Sequence, residues 1–249
     1  MSFNNKVVLV TGGSSGIGAA IAILFAKEGA DVAFVGRNET KLKKVADEIT
    51  KVGKVPLVIK ADISNEGETR KIIENTINKY GKLDVLVNNA GIIRYTNVKD
   101  ENLMQVYDEI MNTNLRATIL LTNLAVPYLI KTKGNIVNIS SIAATIIGDK
   151  LASYCTSKAG MDHFSRVAAL ELAQNGVRVN IVNPGPVETD IIENAGLESN
   201  WNAFADKTAL KIVTQPEEVA DLVLYLASDK ARSITGSDFT IDAGYKLVN

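Results

Sequence analysis

Mainly apolar residues fall along this chain in short runs at residues 7–10, 32–35, 55–59, 83–87, 135–139, 177–182 and 239–241. Runs of that length without polar alternation predict strands of a parallel sheet covered by helices on both faces. Between them the period changes. Ile17, Ala20, Ile21, Leu24 and Phe25 recur at helical spacing, and Gly29 stands where that helix must stop before the next strand. Thr214 and Glu217 have the spacing of a capping box, with Pro216 in the first turn of a helix predicted to reach about Ala227. Such alternation, with right-handed crossovers, predicts an α/β fold with a doubly wound, seven-stranded parallel sheet.

No linker, repeat or low-complexity tract divides the chain, so residues 1–249 are expected to form one domain. The least regular stretch is 184–212, which holds Pro184, Gly185, Pro186, Gly196, Trp201 and Phe204. A long, poorly patterned segment at the carboxyl edge of a parallel sheet reads as a substrate lid in preference to a packed surface excursion. Its Ile191, Ile192, Leu197, Trp201, Phe204, Leu210 and Ile212 predict an apolar pocket, although the same residues could face the core.

Composition narrows the function. Hydrophobic residues make up 46% and charged residues 22%, an ordinary globular balance. With 27 basic and 28 acidic side chains the net charge is −1, which offers nucleic acid no long-range attraction. Cys155 is the only cysteine, so there is no internal disulfide, and its position beside a candidate tyrosine does not make it a catalytic thiol. His163 is the only histidine and reads as a packing or interface residue. Acidic residues show no metal-ligand spacing, so no metal is expected. The chain starts without a signal-like apolar core and carries no run long enough to span a bilayer, which predicts a cytoplasmic protein.

Three segments carry candidate chemistry. Thr11-Gly12-Gly13-Ser14-Ser15-Gly16-Ile17-Gly18 follows the first strand and opens a helix, where close backbone approach and free amides favour a phosphate. The second strand ends at Gly36 followed by Arg37, where a dinucleotide site selective for NAD would offer a carboxylate to the ribose. A guanidinium there suits a 2′-phosphate and favours NADP(H) over NAD(H), though Arg37 also reads as a solvated loop charge and Glu39 could oppose a phosphate. Asp62 follows the third strand as an acceptor for an adenine or as a helix-start residue, with Ser64 and Asn65 competing for the cap. Tyr154 and Lys158 stand four apart on one helix face. An ammonium beside a phenol favours the phenolate and lowers its pKa towards a useful range.

These segments, with Asn88-Asn89-Ala90-Gly91, Asn114, Ser141 and Asn183-Pro184-Gly185, resemble the short-chain dehydrogenase/reductase family in order and spacing over nearly the whole chain. The likeness is to its compact single-domain branch, which includes 3-oxoacyl-carrier reductases and hydroxysteroid or polyol dehydrogenases. It implies a Rossmann-type sheet and hydride transfer between NADP(H) and a ketone or secondary alcohol. Tyr154 would be the proton donor or acceptor. Ser141 would bind the substrate oxygen, with Ser140 as structural competitor, and Lys158 would hold the nicotinamide ribose. Asn114 would hold a water that links Lys158 to solvent. The cofactor would lie against Gly12, Ser14, Ser15, Gly16, Ile17, Gly18, Arg37, Asp62, Ile63, Asn89, Ala90, Gly91, Pro184, Gly185, Val187 and Thr189. The resemblance also implies a homo-oligomer, a dimer or tetramer built on the helices around 102–130 and 154–175. One departure is Ala243, which stands where the family pattern usually has a glycine. A dinucleotide-binding sensor without turnover is the competing reading, and lyase or dehalogenase chemistry on the same fold is a third.

Overall fold

A computed structural model of the chain describes residues 1–196, 198 and 200–248. The strands are β1 (Val7–Thr11), β2 (Asp31–Gly36), β3 (Leu57–Lys60), β4 (Val85–Asn88), β5 (Asn135–Ile139), β6 (Arg178–Pro184) and β7 (Asp238–Ile241). All pair in parallel, in the order β3-β2-β1-β4-β5-β6-β7. The apolar runs are explained by the two cores. Val8 and Val10 of β1 enter one cluster, Val7 and Leu9 the other, so a strand covered on both sides is buried at successive positions and mainly apolar. Leu9 is fully buried, and its truncation to alanine would cost about 2–5 kcal/mol.

One face is covered by α1 (Gly16–Lys27), α2 (Glu39–Val52) and α8 (Pro216–Ala227), which send Ile21, Phe25, Leu42, Ile49, Val219 and Val223 into the first cluster. The other face takes α3 (Glu66–Tyr80), α5 (Ala117–Thr132) and α6 (Ala152–Ala173), through residues such as Ile72, Leu121, Leu129 and Ala169. Helix α4 (Leu103–Ile110) runs into α5 through a π-helical turn at Met111–Arg116, and α9 is Tyr245–Val248. Strands β1 and β4 are neighbours whose connections depart in opposite directions. That reversal opens the crevice at their carboxyl ends.

The structure corrects several local expectations. Helix α8 is capped one residue later than the spacing predicted: Glu218, not Glu217, accepts the backbone N–H of Gln215 at 2.7 Å. Thr214 is drawn instead into a bridge with Val187. The run at 55–59 yields strand only from Leu57, and β3 is an edge whose Val58 is exposed. His163 is exposed on α6, which removes the core-packing alternative and leaves the interface one. Within 184–212 the chain forms a short 3-10 turn at Glu193–Ala195 and α7 (Trp201–Ala205), where Trp201 and Phe204 stack at 5.6 Å between ring centroids. Leu210 and Ile212 face solvent, while Leu197 lies outside the described residues. Ala243 holds a left-handed backbone at φ 50°, the conformation for which a glycine is the low-strain choice. No helix among the described residues is long and apolar enough to cross a membrane.

Candidate active site

The turn between β1 and α1 is shaped by backbone proximity. A Cβ on Gly18 would stand 2.3 Å from the Gly12 carbonyl oxygen, so no side chain fits there. Gly18 therefore holds the turn from behind. Thr11 and Asn89 lock it from β4: the Thr11 hydroxyl accepts the N–H groups of Asn89 and Ala90 at 3.0 and 3.1 Å, and Asn89 Nδ2 donates to the Thr11 carbonyl at 2.9 Å. Ser15 precedes α1 without capping it through its side chain, which leaves the first-turn amides and the positive end of the helix dipole to a ligand.

A cavity of about 270 Å³ runs from this turn across the sheet. The structure brings to it every residue expected to contact cofactor except Gly18, together with Ser141, Tyr154 and Lys158. Asn114 does not line it. Its side chain is fully buried in the π-helical turn, where Oδ1 accepts the Ile92 N–H at 2.8 Å and Nδ2 donates to the Ile92 carbonyl at 2.9 Å. The asparagine thus clamps the irregular segment that follows Gly91. A π-helical turn of this kind often marks a functional site, but nothing in the residue pattern at 102–130 distinguishes it from ordinary helix.

At the adenosine end, a Cβ on Gly36 would meet Ser14 at 2.8 Å. A carboxylate at that place would require Ser14 to move. Arg37 follows, exposed, with Nη1 3.6 Å from Asp62 Oδ2. Glu39, which could have opposed a phosphate, is instead paired with Lys60 at 2.9 Å. Asn65 takes the cap of α3, accepting from the Glu68 N–H, so Asp62 is free of that duty and receives Ser64 N–H and hydroxyl at 2.9 and 2.8 Å. Burial works against the Asp62 carboxylate, but the Ser64 hydrogen bonds and Arg37 hold its pKa below the usual range.

At the opposite end, Tyr154 and Lys158 share the buried face of α6, with Nζ 5.8 Å from the ring centroid. The Ser141 side chain hydrogen-bonds the phenol. Burial pushes the Tyr154 phenol up to about 12, opposed by that bond, and lowers the Lys158 ammonium to about 8, opposed by Asp162. The direction of the phenol's shift is therefore set by burial, and the lowering expected from the lysine is not among the influences on it. Both groups are shut from water, which favours the neutral form of each, and Lys158 Nζ donates to the Ile139 carbonyl at 2.9 Å instead of to the phenol.

Sequence reasoning missed Asp190 and Lys41. The Asp190 carboxylate is hydrogen-bonded by Lys41 of α2 and by Ser15, pinning the start of the 184–212 segment across the mouth of the glycine turn. Of the apolar residues expected to shape a pocket from that segment, Ile191 alone among the described ones lines the cavity. No three His, Cys, Asp or Glu side chains among the described residues converge as metal ligands.

The donor set fits a dinucleotide: uncapped amides for a pyrophosphate, a guanidinium at the ribose end, and a phenol, hydroxyl and ammonium at the other. Fold and crevice define a nucleotide-binding α/β protein with its chemistry at the carboxyl ends of β4, β5 and β6. A family model described as enoyl-(acyl carrier protein) reductase matches residues 12–246. The 3-oxoacyl-(acyl-carrier-protein) reductase FabG of Thermotoga maritima is 37% identical over 98% of this chain and 99% of its own. Cyclohexanol dehydrogenase of an Acinetobacter species is 33% identical over 98% and 96%. Among solved structures, a short-chain dehydrogenase/reductase of Caenorhabditis elegans superposes with TM-score 0.94 at 36% identity, covering 99% of this chain and 97% of its own. A Burkholderia cenocepacia short-chain dehydrogenase in complex with NADP gives 0.91 at 34%, covering 99% and 100%. The chain belongs to the short-chain dehydrogenase/reductase family and is an oxidoreductase of that family.

Proposed function

We propose that this protein is an NADP(H)-dependent reductase of an apolar ketone, with Tyr154 donating the proton. The observation that carries the reading is the convergence of Tyr154, Ser141 and Lys158 on the same cavity as the glycine turn. When bound, the nicotinamide supplies the hydride. The protein's own residues do the rest. Tyr154, held protonated through neutral pH by its burial, is in the form a carbonyl oxygen needs from its donor. Ser141 orients the phenol and offers a second polar contact for the developing oxygen charge. Lys158, charged below about pH 8, holds ribose hydroxyls and places positive potential beside the phenol as its proton leaves.

Arg37, and a glycine in place of a carboxylate at position 36, support NADP(H) over NAD(H). The B. cenocepacia relative bound to NADP agrees with that choice. Ile92 and Ile191 in the cavity lining support an apolar substrate, for which 3-oxoacyl thioesters and alicyclic ketones are the first candidates. The 184–212 segment would act as the lid over it.

The test is turnover of 3-oxoacyl thioesters, cyclic ketones and ketosteroids with NADPH and with NADH. Bound cofactor without turnover of any carbonyl or alcohol would leave a sensor in place of an enzyme. We further propose a homo-oligomer joined through α4 to α6, supported by Met104 and Leu170, which are 61% and 80% exposed. A monomer in sedimentation at micromolar concentration would remove it.

A further inference from the structure

One buried charge near this cavity has no part in the mechanism above. Asp162 lies one helical turn beyond Lys158 on α6, only 3% exposed. An ionised carboxylate in such a place is expensive unless it is paired and hydrogen-bonded. Its partners come from two other segments. Asn183 Nδ2, at the end of β6, donates to Asp162 Oδ2 at 3.0 Å. The Ser140 hydroxyl, just past β5, faces both this carboxylate and the Lys158 carbonyl, the latter at 3.3 Å. Asp162 Oδ1 is buried and has no hydrogen-bond partner, so the site keeps an acceptor it does not use for folding.

These contacts fall at informative places. Ser140 adjoins Ser141, which faces the phenol, and Asn183 adjoins Pro184 and Gly185, which line the cavity. A single carboxylate therefore touches the backbone neighbours of both strand ends that build the chemical half of the site. Other charges facing it are Lys158 and Arg166 on α6 and Asp238 on β7, and Arg166 is already paired with Asp238. That leaves Lys158 as the cation whose counter-charge Asp162 can be.

We propose that Asp162 is a positioning residue of the reaction: it ties the ends of β5 and β6 to the catalytic helix and supplies the counter-charge that keeps Lys158 protonated. The assignment rests on the role given to Lys158 above. A residue kept only for structure would place an amide or hydroxyl here at lower desolvation cost. Burial raises the Asp162 carboxylate, opposed by Ser140 and Asn183, while the same carboxylate raises the Lys158 ammonium against its own burial.

The test is Asp162→Asn, which keeps shape and the Asn183 contact but removes the charge. In the cofactor-free protein labelled at lysine Cε, the Lys158 titration should fall by about one pKa unit. Turnover relative to wild type should then be about tenfold lower at pH 9 than at pH 6. An unmoved Lys158 titration, or a loss equal at all pH values, overturns the counter-charge. Should Asp162→Asn fail to fold, Asp162→Glu takes its place: it retains the charge, so the alkaline limb must stay within a few tenths of a unit while the plateau rate falls. A displaced limb in that variant refutes the proposal. The underlying reading fails separately, if Lys158→Ala turns over at the wild-type rate.

Discussion

Replacing Lys158 with methionine separates the cost of a buried charge from its use. The side chain is 4% exposed, and burial takes its ammonium from the ordinary 10.5 to about 8. That fall corresponds to roughly 3 kcal/mol of stability given up at neutral pH to keep the group charged. Methionine has similar length and no charge. It recovers that amount but strands the Ile139 carbonyl, at a cost of about 1–3 kcal/mol, so the net change at pH 7 is small. The pH dependence is decisive. The folded pKa lies below the unfolded one, so between about pH 8 and 10.5 the unfolded chain holds more protons and wild-type stability rises with pH. The variant lacks that rise. Urea unfolding of both proteins at matched concentration, at about pH 7 and 9.5, should show the variant losing roughly 2 kcal/mol relative to wild type across the interval. Tyr154, whose folded phenol keeps its proton to about 12, lowers stability above about pH 10 in both proteins and drops out of the comparison. A difference constant with pH to within about 0.5 kcal/mol would refute the assignment of a buried, charged lysine.

Other substitutions test the rest of the site. Tyr154→Phe should lower kcat by about 10²- to 10⁴-fold while NADPH binding, followed by fluorescence titration, stays within about twofold. Arg37→Ala should raise the KM for NADPH about tenfold to a hundredfold and leave that for NADH nearly unchanged, as loss of a charged hydrogen bond of about 1.5–3 kcal/mol requires. Equal effects on both cofactors would place Arg37 off the 2′-phosphate. Gly18→Ala forces the turn open against the Gly12 carbonyl and should abolish binding of both dinucleotides in the same titration.

The sheet was legible because its physics is local. A strand buried on both faces must be apolar through its middle, and β1, β2 and β4 are, with polar residues only at their ends: Thr11, Asp31 and Asn88. The edge strand β3 is the exception that shows why: with one side open to solvent, Val58 and Lys60 are exposed and the run no longer marks where pairing begins. The cap of α8 was misplaced for a related reason. Thr214 and Gln215 both have acceptable spacing to an acidic residue, and what decides between them is a bridge from Val187, 27 positions earlier. Glycine spacing marked the 11–18 turn and the Tyr154–Lys158 interval marked the helix face, since those positions are fixed by backbone approach and helical pitch, whereas Asn89, Ala90, Gly91, Pro184, Gly185, Val187 and Thr189 followed only from the family resemblance.

Protonation was not legible, and the Tyr154–Lys158 pair shows what was missing. Spacing puts a cation near a phenol and implies that the phenol is acidified, but Coulomb attraction competes with desolvation, and only the surroundings say which wins. Here burial prevails on both partners, and the cation turns to the Ile139 carbonyl. The sequence holds one clue to the remedy, an aspartate four residues beyond the lysine, yet at that spacing an exposed ion pair is worth only about 0.3–0.5 kcal/mol and marks nothing. Its weight comes from Ser140 and Asn183, delivered by two strands distant in sequence, which make a buried carboxylate tolerable. In the proposed mechanism that carboxylate is what lets a lysine without solvent remain a cation, so the acid–base chemistry would depend on the packing of α6 against the ends of β5 and β6 as much as on the motif residues themselves.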